Sequence, residues 1–292
     1  MTTGRRYGAH SSTAPLRDVL VKRPGHPFGR AFDDPAHGFL RPVDLVQAQR
    51  EHDGLVAALD GLGVRVHVLD DAAGTGPDTD PDLVYVFDPL LVIDAGAVPL
   101  RPGKPNRAGE PAILEEWFAG RGVPTAGRIE APGTVEGGDT VWLRDELFVI
   151  GRTLRTNDAG ARQLAAIVGG DVRIVDLPYW RGPAELVHLM SVISPVSDDL
   201  AVVFLPLLPA ALHGWLLELG IRLVEVPVEE YSTLGANVLA VRPGVVIVAD
   251  GNTVTRRGLE AAGAEVHAVA LGEVGGNGSG GATCLTRPLL RE

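Results

Sequence analysis

The chain has 292 residues, of which 45% are hydrophobic and 22% charged, so it is long enough to bury a substantial core. Its net charge of −11 argues against a nucleic-acid partner, because binding phosphates requires a basic surface, and it suits a cationic small molecule. The absence of a long apolar run or an apolar signal core argues against membrane insertion and secretion, and a single cysteine excludes an internal disulfide. We therefore expect a cytoplasmic protein.

The predicted elements repeat one order along the chain: a short apolar strand, a helix of about three turns, and an alternating strand. The copies cover residues 18–21, 44–59 and 64–68; residues 90–93 and 111–118; residues 147–150, 156–168 and 172–175; residues 201–205, 209–219 and 221–226; and residues 245–248, 253–262 and 266–270. This repetition predicts an α/β fold assembled from similar modules.

Five further strand-like segments lie between these units, at residues 82–88, 135–141, 187–192, 236–241 and 282–286. A polar residue in each serves as a marker, and the five are Asp88, Glu136, His188, Asn237 and Cys284, separated by 48, 52, 49 and 47 residues. Such even spacing indicates equivalent positions in five modules, which could all face one axis if the modules close into a ring. An open doubly wound sheet is the alternative, but it gives no reason for polar residues to recur at this interval.

Three of the markers have the chemistry of a nucleophilic catalyst. Cys284 follows a glycine-rich stretch at residues 275–281, although a lone cysteine is more often an inert buried residue. His188 is the only one of eight histidines at a marker position, and a lone strand histidine is usually structural. Together with Glu136 they form a candidate set of thiol nucleophile, proton carrier and orienting carboxylate.

Other polar residues are candidates for binding a substrate. Asp88 lies in an apolar segment, where a buried acid needs a cationic partner such as a guanidinium. Arg107 and Arg155 are candidates for holding a carboxylate, although surface arginines are common. Asp139 and Asn237 complete the predicted substrate-binding set; for Asp139, a turn with solvated acids is the ordinary alternative.

These residues resemble motifs of the guanidine-modifying superfamily, the penteins, which includes arginine deiminase, amidinotransferases and dimethylarginine dimethylaminohydrolase. The similar motifs are Glu136-Gly137-Gly138-Asp139, Arg155-Thr156-Asn157, His188-Leu189-Met190-Ser191 and Thr283-Cys284. The stretch from Arg101 to Glu110 is similar to the dimethylarginine enzymes in particular.

The resemblance implies one catalytic domain over residues 1–292, a fivefold pseudosymmetric α/β propeller with a central site and neither a metal nor an organic cofactor. Cys284 would attack the guanidinium carbon and form a covalent amidino-thioether. His188 would protonate the leaving amine and then activate water, while Glu136 orients His188 and Asp88 holds the guanidinium. Arg107 and Arg155 would bind the α-carboxylate. The implied partner is a small guanidino amino acid, and a homo-oligomer is compatible with this prediction.

Two departures bear on the substrate. Met190 stands where arginine deiminases and amidinotransferases carry an aspartate, which disfavours unmodified arginine and favours N-alkyl groups. Phe87 stands where the dimethylarginine enzymes carry an acid. We predict hydrolysis of an N-methylated arginine to citrulline and an alkylamine. An amidinotransferase, a hydrolase of another guanidino or ureido compound, and a non-catalytic binding protein on the same fold, as in ribosome-associated initiation factors, remain alternatives.

Residues 25–42 have no clear strand or helix period and contain three phenylalanines among glycine, proline and aspartate. Their length predicts a lid that shields a reaction intermediate from water. An ordinary surface loop with aromatic anchors is the alternative.

Overall fold

A computed structural model describes residues 6–69, 80–144, 146–182 and 187–292. The strands are β1 (Leu16–Val21), β2 (Arg65–Val68), β3 (Leu90–Ile93), β4 (Gly96–Pro99), β5 (Thr140–Arg144), β6 (Leu147–Arg152), β7 (Asp171–Asp176), β8 (Ile193–Ser197), β9 (Leu200–Val203), β10 (Arg222–Glu225), β11 (Leu239–Arg242), β12 (Val245–Ala249), β13 (Glu265–Val269) and β14 (Arg287–Arg291). The α-helices are α1 (His26–Gly29), α2 (Leu45–Gly61), α3 (Glu110–Ala119), α4 (Asp158–Val168), α5 (Ala210–Glu218), α6 (Val228–Tyr231) and α7 (Thr253–Ala261). Within these ranges, no helix combines the length and hydrophobicity needed to cross a membrane.

In the described residues the strands form five small sheets rather than one large sheet. Three sheets have the orders β5-β6-β7, β10-β9-β8 and β11-β12-β13, and each joins an antiparallel pair to a parallel pair. The sheet β14-β1-β2 has the same pattern, with β14 antiparallel and β2 parallel to β1. The predicted alternative of a single doubly wound sheet is therefore wrong.

The remaining sheet is the antiparallel pair β3-β4. After α3, a single parallel bridge between Ala97 and Thr125 takes the place of its third strand. This module therefore has the same order of elements as the others, with its last strand reduced to one bridge.

The module of β5, β6, α4 and β7 shows why the sequence folds in this order. The side chain of Asn157 caps α4 by accepting a hydrogen bond from the backbone N–H of Gly160 at 2.8 Å. The helix ends at Gly169, whose φ of 69° suits a residue without a Cβ. Phe148 and Ile150 of β6 pack against the face of α4 that carries Ala161 and Leu164. The predicted strand, helix and strand are confirmed in this module.

Neighbouring modules share their hydrophobic cores. One cluster combines Leu20 of β1 with Leu90 of β3, and the next combines Leu91 of β3 with Phe148 of β6. A large cluster joins the sheets that contain β6, β9 and β12. A further cluster packs Val19 of β1 against Ile247 of β12. Each sheet is thus covered by residues of its neighbours.

The five segments predicted as additional strands are largely irregular. Pro81–Val84, Gly137–Asp139 and Leu189–Ser191 are short 3-10 turns, and residues 282–286 form turns. The strand prediction is therefore wrong over most of these segments; in residues 135–141 the paired glycines Gly137 and Gly138 favour the turn. Each marker residue lies in an irregular segment just before an edge strand of one of the five sheets. Side chains in such segments are not tied to the sheet and can converge on a site.

Candidate active site

The imidazole of His188 lies between two carboxylates. Its Nδ1 is 3.0 Å from Oδ1 of Asp139, and its Nε2 is 3.5 Å from Oε2 of Glu136. Both carboxylates are fully buried, while the His188 side chain is 21% exposed. Burial disfavours the charged ring, but Asp139, Asp88 and Glu136 outweigh it and raise the pKa of His188 to about 9. His188 is therefore an imidazolium at neutral pH.

Asp139 rather than Glu136 makes the shorter contact that orients the imidazole. Its Oδ1 also accepts the backbone N–H of Leu189 at 3.2 Å, and its Oδ2 accepts the hydroxyls of Thr153 and Thr156 at 2.8 and 2.6 Å. These donors fix the carboxylate, which in turn fixes the ring. The predicted orienting role thus falls to Asp139, and Glu136 lies on the opposite, Nε2 side.

Glu136 is held by backbone and by one of the predicted arginines. Its Oε1 accepts the backbone N–H of Lys104 at 3.2 Å and Nη1 of Arg155 at 3.1 Å. The backbone N–H of Glu136 donates to the hydroxyl of Thr156 at 3.2 Å, so Thr156 connects Glu136 to Asp139. The Arg155 side chain remains 23% exposed, which leaves part of its guanidinium accessible to a ligand.

Asp88 forms the other carboxylate of the cluster. Its Oδ1 accepts the backbone N–H of Gly138 at 2.8 Å, and its Oδ2 is 2.7 Å from Nη1 of Arg107. Burial alone would raise its pKa, but the charges of Arg107 and His188 outweigh burial, so the pKa of Asp88 lies below its usual value. A Cβ on Gly138 would approach Asp88 Oδ1 and His188 Cγ to 3.1 Å, which explains the absence of a side chain there.

The contacts of Arg107 differ from the expectation of a carboxylate ligand. Its guanidinium is 4% exposed and donates to Asp88, to Glu110 at 2.9 Å from Nε, and to the backbone carbonyls of Asp82 and Tyr85. All three of its nitrogens have internal acceptors. These contacts indicate that Arg107 positions Asp88. They do not favour the predicted role, in which Arg107 binds a substrate carboxylate directly.

Asn237 and the glycine-rich loop surround Cys284. Nδ2 of Asn237 lies 3.4 Å from Sγ of Cys284, and Oδ1 of Asn237 accepts the backbone N–H of Thr283 at 3.0 Å. A Cβ on Gly281 would collide with the Asn237 amide, so glycine is needed at that position. Burial, followed by the charge of Asp88, raises the pKa of Cys284 to about 12. The free protein therefore holds a neutral thiol.

The structure brings the predicted residues into one cluster. The carbonyl of Cys284 accepts the backbone N–H of Phe87 at 3.2 Å, which joins the Cys284 turn to the segment of Asp88. Asp88 influences the pKa of both Cys284 and His188. In the part of the chain that the structure describes, no hydrogen bond joins Sγ of Cys284 to the imidazole of His188.

Ligand atoms of Asp88, Glu136 and His188 lie within 4.8 Å of one another, a spacing that a cation can bridge. A divalent metal would bind the two carboxylates and a neutral imidazole. The raised pKa of His188 opposes that use, because its Nε2 carries a proton at neutral pH. A planar organic cation that donates hydrogen bonds to the carboxylates suits the cluster better.

Residues 25–42 pack over the glycine-rich loop. They contain α1 and two 3-10 turns, which the sequence did not indicate. Phe28 and Phe39 are buried, whereas Phe32 is 42% exposed. Asn277 joins the two segments, because its Nδ2 donates to the carbonyl of Arg41 at 3.0 Å and its carbonyl accepts the backbone N–H of Leu40.

One buried arginine close to the cluster, Arg287, was not predicted from the sequence. Arg287 is 2% exposed, and its guanidinium carbon lies 3.8 Å from the centroid of the Phe87 ring. Its position three residues after Cys284 was the available signal, but an arginine beside a predicted strand is normally exposed.

Comparison with known proteins agrees with this geometry. The arginine deiminase family model matches residues 112–220 and 205–291. The chain belongs to the arginine deiminase family, within the pentein superfamily of guanidine-modifying proteins. It is 32% identical to the dimethylarginine dimethylaminohydrolase of Pseudomonas aeruginosa over 68% of this chain and 89% of that protein. It is also 32% identical to the Streptomyces coelicolor protein of the same name, over 66% of this chain and 70% of the relative.

Solved structures are similar over nearly the whole length. A mutant of the Pseudomonas aeruginosa enzyme complexed with citrulline matches with a TM-score of 0.77 and 27% identity, covering 94% of this chain and 99% of that one. The N-terminal domain of ArgZ, an arginine dihydrolase from cyanobacteria, matches with a TM-score of 0.80 and 20% identity, covering 95% of this chain and 97% of that one. The latter match supports the fold alone.

Proposed function

We propose that the chain is a cysteine hydrolase that cleaves a C–N bond of a substituted guanidino amino acid. The products from an N-methylated arginine would be citrulline and an alkylamine. The observation that carries this proposal is the cluster of Asp88, Glu136 and His188 beside Cys284, which combines two buried carboxylates with a thiol and an imidazolium. Relatives named dimethylarginine dimethylaminohydrolase and arginine deiminase support this class of reaction.

We also propose that the five modules form one closed ring and one domain over residues 1–292. Support comes from β14, which pairs with β1, and from the shared core between β1 and β12. A ring of this kind is a fivefold propeller with the marker residues at its axis, as the superfamily membership implies.

In the first half of the reaction, the substrate guanidinium lies against the carboxylates of Asp88 and Glu136. Its positive charge offsets the negative field of Asp88, which otherwise raises the pKa of Cys284, and the thiol loses its proton to solvent. The thiolate attacks the guanidinium carbon to form a C–S bond. Nε2 of the His188 imidazolium then protonates the departing nitrogen, and the C–N bond breaks to leave a cationic amidino-thioether and a free amine.

In the second half, the neutral His188 accepts a proton from water, and the hydroxide adds to the same carbon. The C–S bond breaks with its electron pair on sulfur, and the proton of the added hydroxyl passes to the thiolate, which restores the cysteine thiol and leaves the substrate carbon as a neutral ureido group. Asp139 holds Nδ1 throughout, so that Nε2 handles both proton transfers. Asn237, 3.4 Å from Sγ, donates toward the sulfur and helps stabilise its anionic form.

We further propose that Arg155 binds the substrate α-carboxylate with the part of its guanidinium that remains exposed. Met190 lacks the charge that would bind a second unsubstituted guanidinium nitrogen, which supports a preference for an N-alkylated substrate. Residues 25–42, packed on the loop that precedes Cys284, would exclude water from the intermediate.

The test is a substrate comparison with the purified protein. Arginine, monomethylarginine, asymmetric dimethylarginine and agmatine would each be incubated with the enzyme, and citrulline or the corresponding ureido product measured colorimetrically together with the released amine. We expect the methylated arginines to be the best substrates. Product that forms only with an added amine acceptor would identify an amidinotransferase, and no product from any guanidine would refute hydrolysis.

A further inference from the structure

A cavity of about 40 Å³, partly open to solvent, adjoins the catalytic cluster. Its lining includes the sequence neighbours of the site residues, namely Phe87 beside Asp88, Thr140 beside Asp139, Val238 beside Asn237 and Thr283 beside Cys284. Since a buried water needs roughly 10–15 Å³ of such space, the cavity has room for about three waters or one small ion.

Two buried arginines face this cavity without an acidic partner. Arg287 and Arg291 are 2% and 6% exposed, and both line it. Among the described residues that line the cavity there is no aspartate or glutamate. Arg291 donates to the backbone carbonyls of Ala14 and Ala240 at 2.6 and 2.8 Å, and Arg287 donates to the carbonyl of Phe87. Dipoles of carbonyl groups solvate these cations, but among the described residues neither guanidinium forms an ion pair.

Further donors in the cavity lack an acceptor. Within the described ranges, Nε of Arg287 and the indole Nε1 of Trp142 are buried with no hydrogen-bond partner, and both residues line the cavity. Ser11 and Ser12 also line it, and each hydroxyl oxygen accepts a backbone N–H, from Ala14 and from Trp142, which leaves the hydroxyl hydrogen available. Buried donors without acceptors are costly and rare, so a group of them around one cavity indicates a missing acceptor.

We propose that this cavity binds a small monovalent anion of the chloride class. The anion would accept hydrogen bonds from Arg287, Trp142 and the serine hydroxyls, and its charge would offset those of the two buried guanidinium groups. Water molecules alone would accept hydrogen bonds from some of these donors but would not offset the positive charge of the two guanidinium groups. Asp88 is close enough to influence Arg287, yet its oxygens are bound by Arg107 and Gly138, so it does not serve as the counter-ion of the cavity.

The direct test uses bromide, which replaces chloride and scatters X-rays anomalously. Crystals of the full chain would be grown with bromide as the only halide, and data would be collected at the bromine absorption edge. We expect an anomalous peak in the cavity between Arg287 and Arg291. Absence of a peak at that position, with bromide visible only on the surface or nowhere, would overturn the proposal.

A solution test measures the melting temperature while chloride replaces gluconate at constant ionic strength. For the wild-type chain we expect a rise that grows with the logarithm of the chloride concentration and reaches about 5 °C at a hundredfold excess of chloride over its dissociation constant. Arg291→Met should abolish the rise, whereas the matched control Arg242→Met, an exposed arginine on the strand that supplies Ala240, should keep it. An equal rise in Arg291→Met would contradict the assignment. If Arg291→Met does not fold, the bromide experiment on the wild-type chain decides.

Discussion

Oδ1 of Asp139 lies 3.0 Å from Nδ1 of His188, and this contact determines which ring nitrogen faces the substrate. It leaves Nε2 on the side of Glu136, where a leaving amine would lie in the proposed reaction. The same carboxylate is one cause of the raised pKa of the imidazole. Both the orientation and the protonation state of His188 therefore depend on the side chain of Asp139.

We expect Asp139→Asn to lower the pKa of His188 from about 9 toward its usual value, because the neutral amide no longer stabilises the imidazolium. Less His188 would then carry the proton needed by the leaving amine at neutral pH. Turnover should fall by about 10²-fold or more, and the alkaline limb of the pH–rate profile should move to lower pH. Imidazole resonances followed by NMR titration measure the shift directly, and an unchanged pKa would contradict this account.

The same contact links stability to pH. The pKa of His188 is raised on folding, so its stabilising contribution is complete below pH 6.5 and is lost as the pH rises through about 9. The shift corresponds to roughly 3 kcal/mol between those limits. We expect the unfolding free energy of the wild-type chain to fall more steeply between pH 7 and 10 than that of Asp139→Asn. Parallel pH dependences in urea denaturation would exclude this linkage.

The thiol should react selectively with cationic reagents. At neutral pH Cys284 is protonated, and a positive group beside Asp88 would lower its pKa by offsetting the charge of that carboxylate. We expect 2-chloroacetamidine to alkylate Cys284 much faster than the isosteric, uncharged 2-chloroacetamide. Asp88→Asn should remove most of that preference, because it removes the charge that attracts the amidinium. Mass spectrometry of the modified peptide measures both rates, and equal rates in the wild-type chain would argue against a guanidinium site.

Cys284→Ser should leave the fold intact and abolish turnover. A hydroxyl is close in size to a thiol but is a far weaker nucleophile under the same conditions, so we expect activity to fall by about 10³-fold or more. Circular dichroism and the melting temperature check the fold, and citrulline formation checks the activity. Substantial residual turnover by the serine variant would refute covalent catalysis at this position.

The two arginines near the cluster should behave differently. Arg107→Ala leaves Asp88 and Glu110 buried without their partner, so we expect the free energy of unfolding to fall by about 3–5 kcal/mol. Arg155 is partly exposed, and Arg155→Ala should mainly raise KM for an α-amino acid substrate while having little effect on agmatine, which lacks the carboxylate. A loss confined to stability for Arg155→Ala would remove it from the substrate site.

Chelators should not reduce activity. The cluster of Asp88, Glu136 and His188 has a spacing that a metal could bridge, but a protonated imidazole is not a metal ligand, and the two carboxylates can hold an organic cation. We expect the rate to be unchanged after dialysis against EDTA. Loss of activity that is restored by a divalent ion would mean that these three residues hold a catalytic metal.

The repeated units and the convergence of the marker residues could be predicted from the sequence. Both depend on the order of the elements and on the spacing of the markers, which are visible in the chain itself. The Asn157 cap and the glycine at 169 mark the ends of α4 unambiguously. Side-chain pairing was harder. Glu136 and Asp139 are both acids near His188, and only the 3-10 turn between them determines which oxygen reaches Nδ1. The burial of Arg107 and Arg287 likewise depends on contacts with distant segments.

The pairing of β14 with β1 has a consequence for how the molecule is made. These strands are separated by more than 250 positions, and residue 284 lies only three positions before β14. On the ribosome, β1 lacks this partner until β14 has emerged, and pairing two strands so far apart in sequence is slow. Residue 284 would thus be fixed beside the other marker residues only after β14 has paired with β1, so the site is assembled at the end of folding.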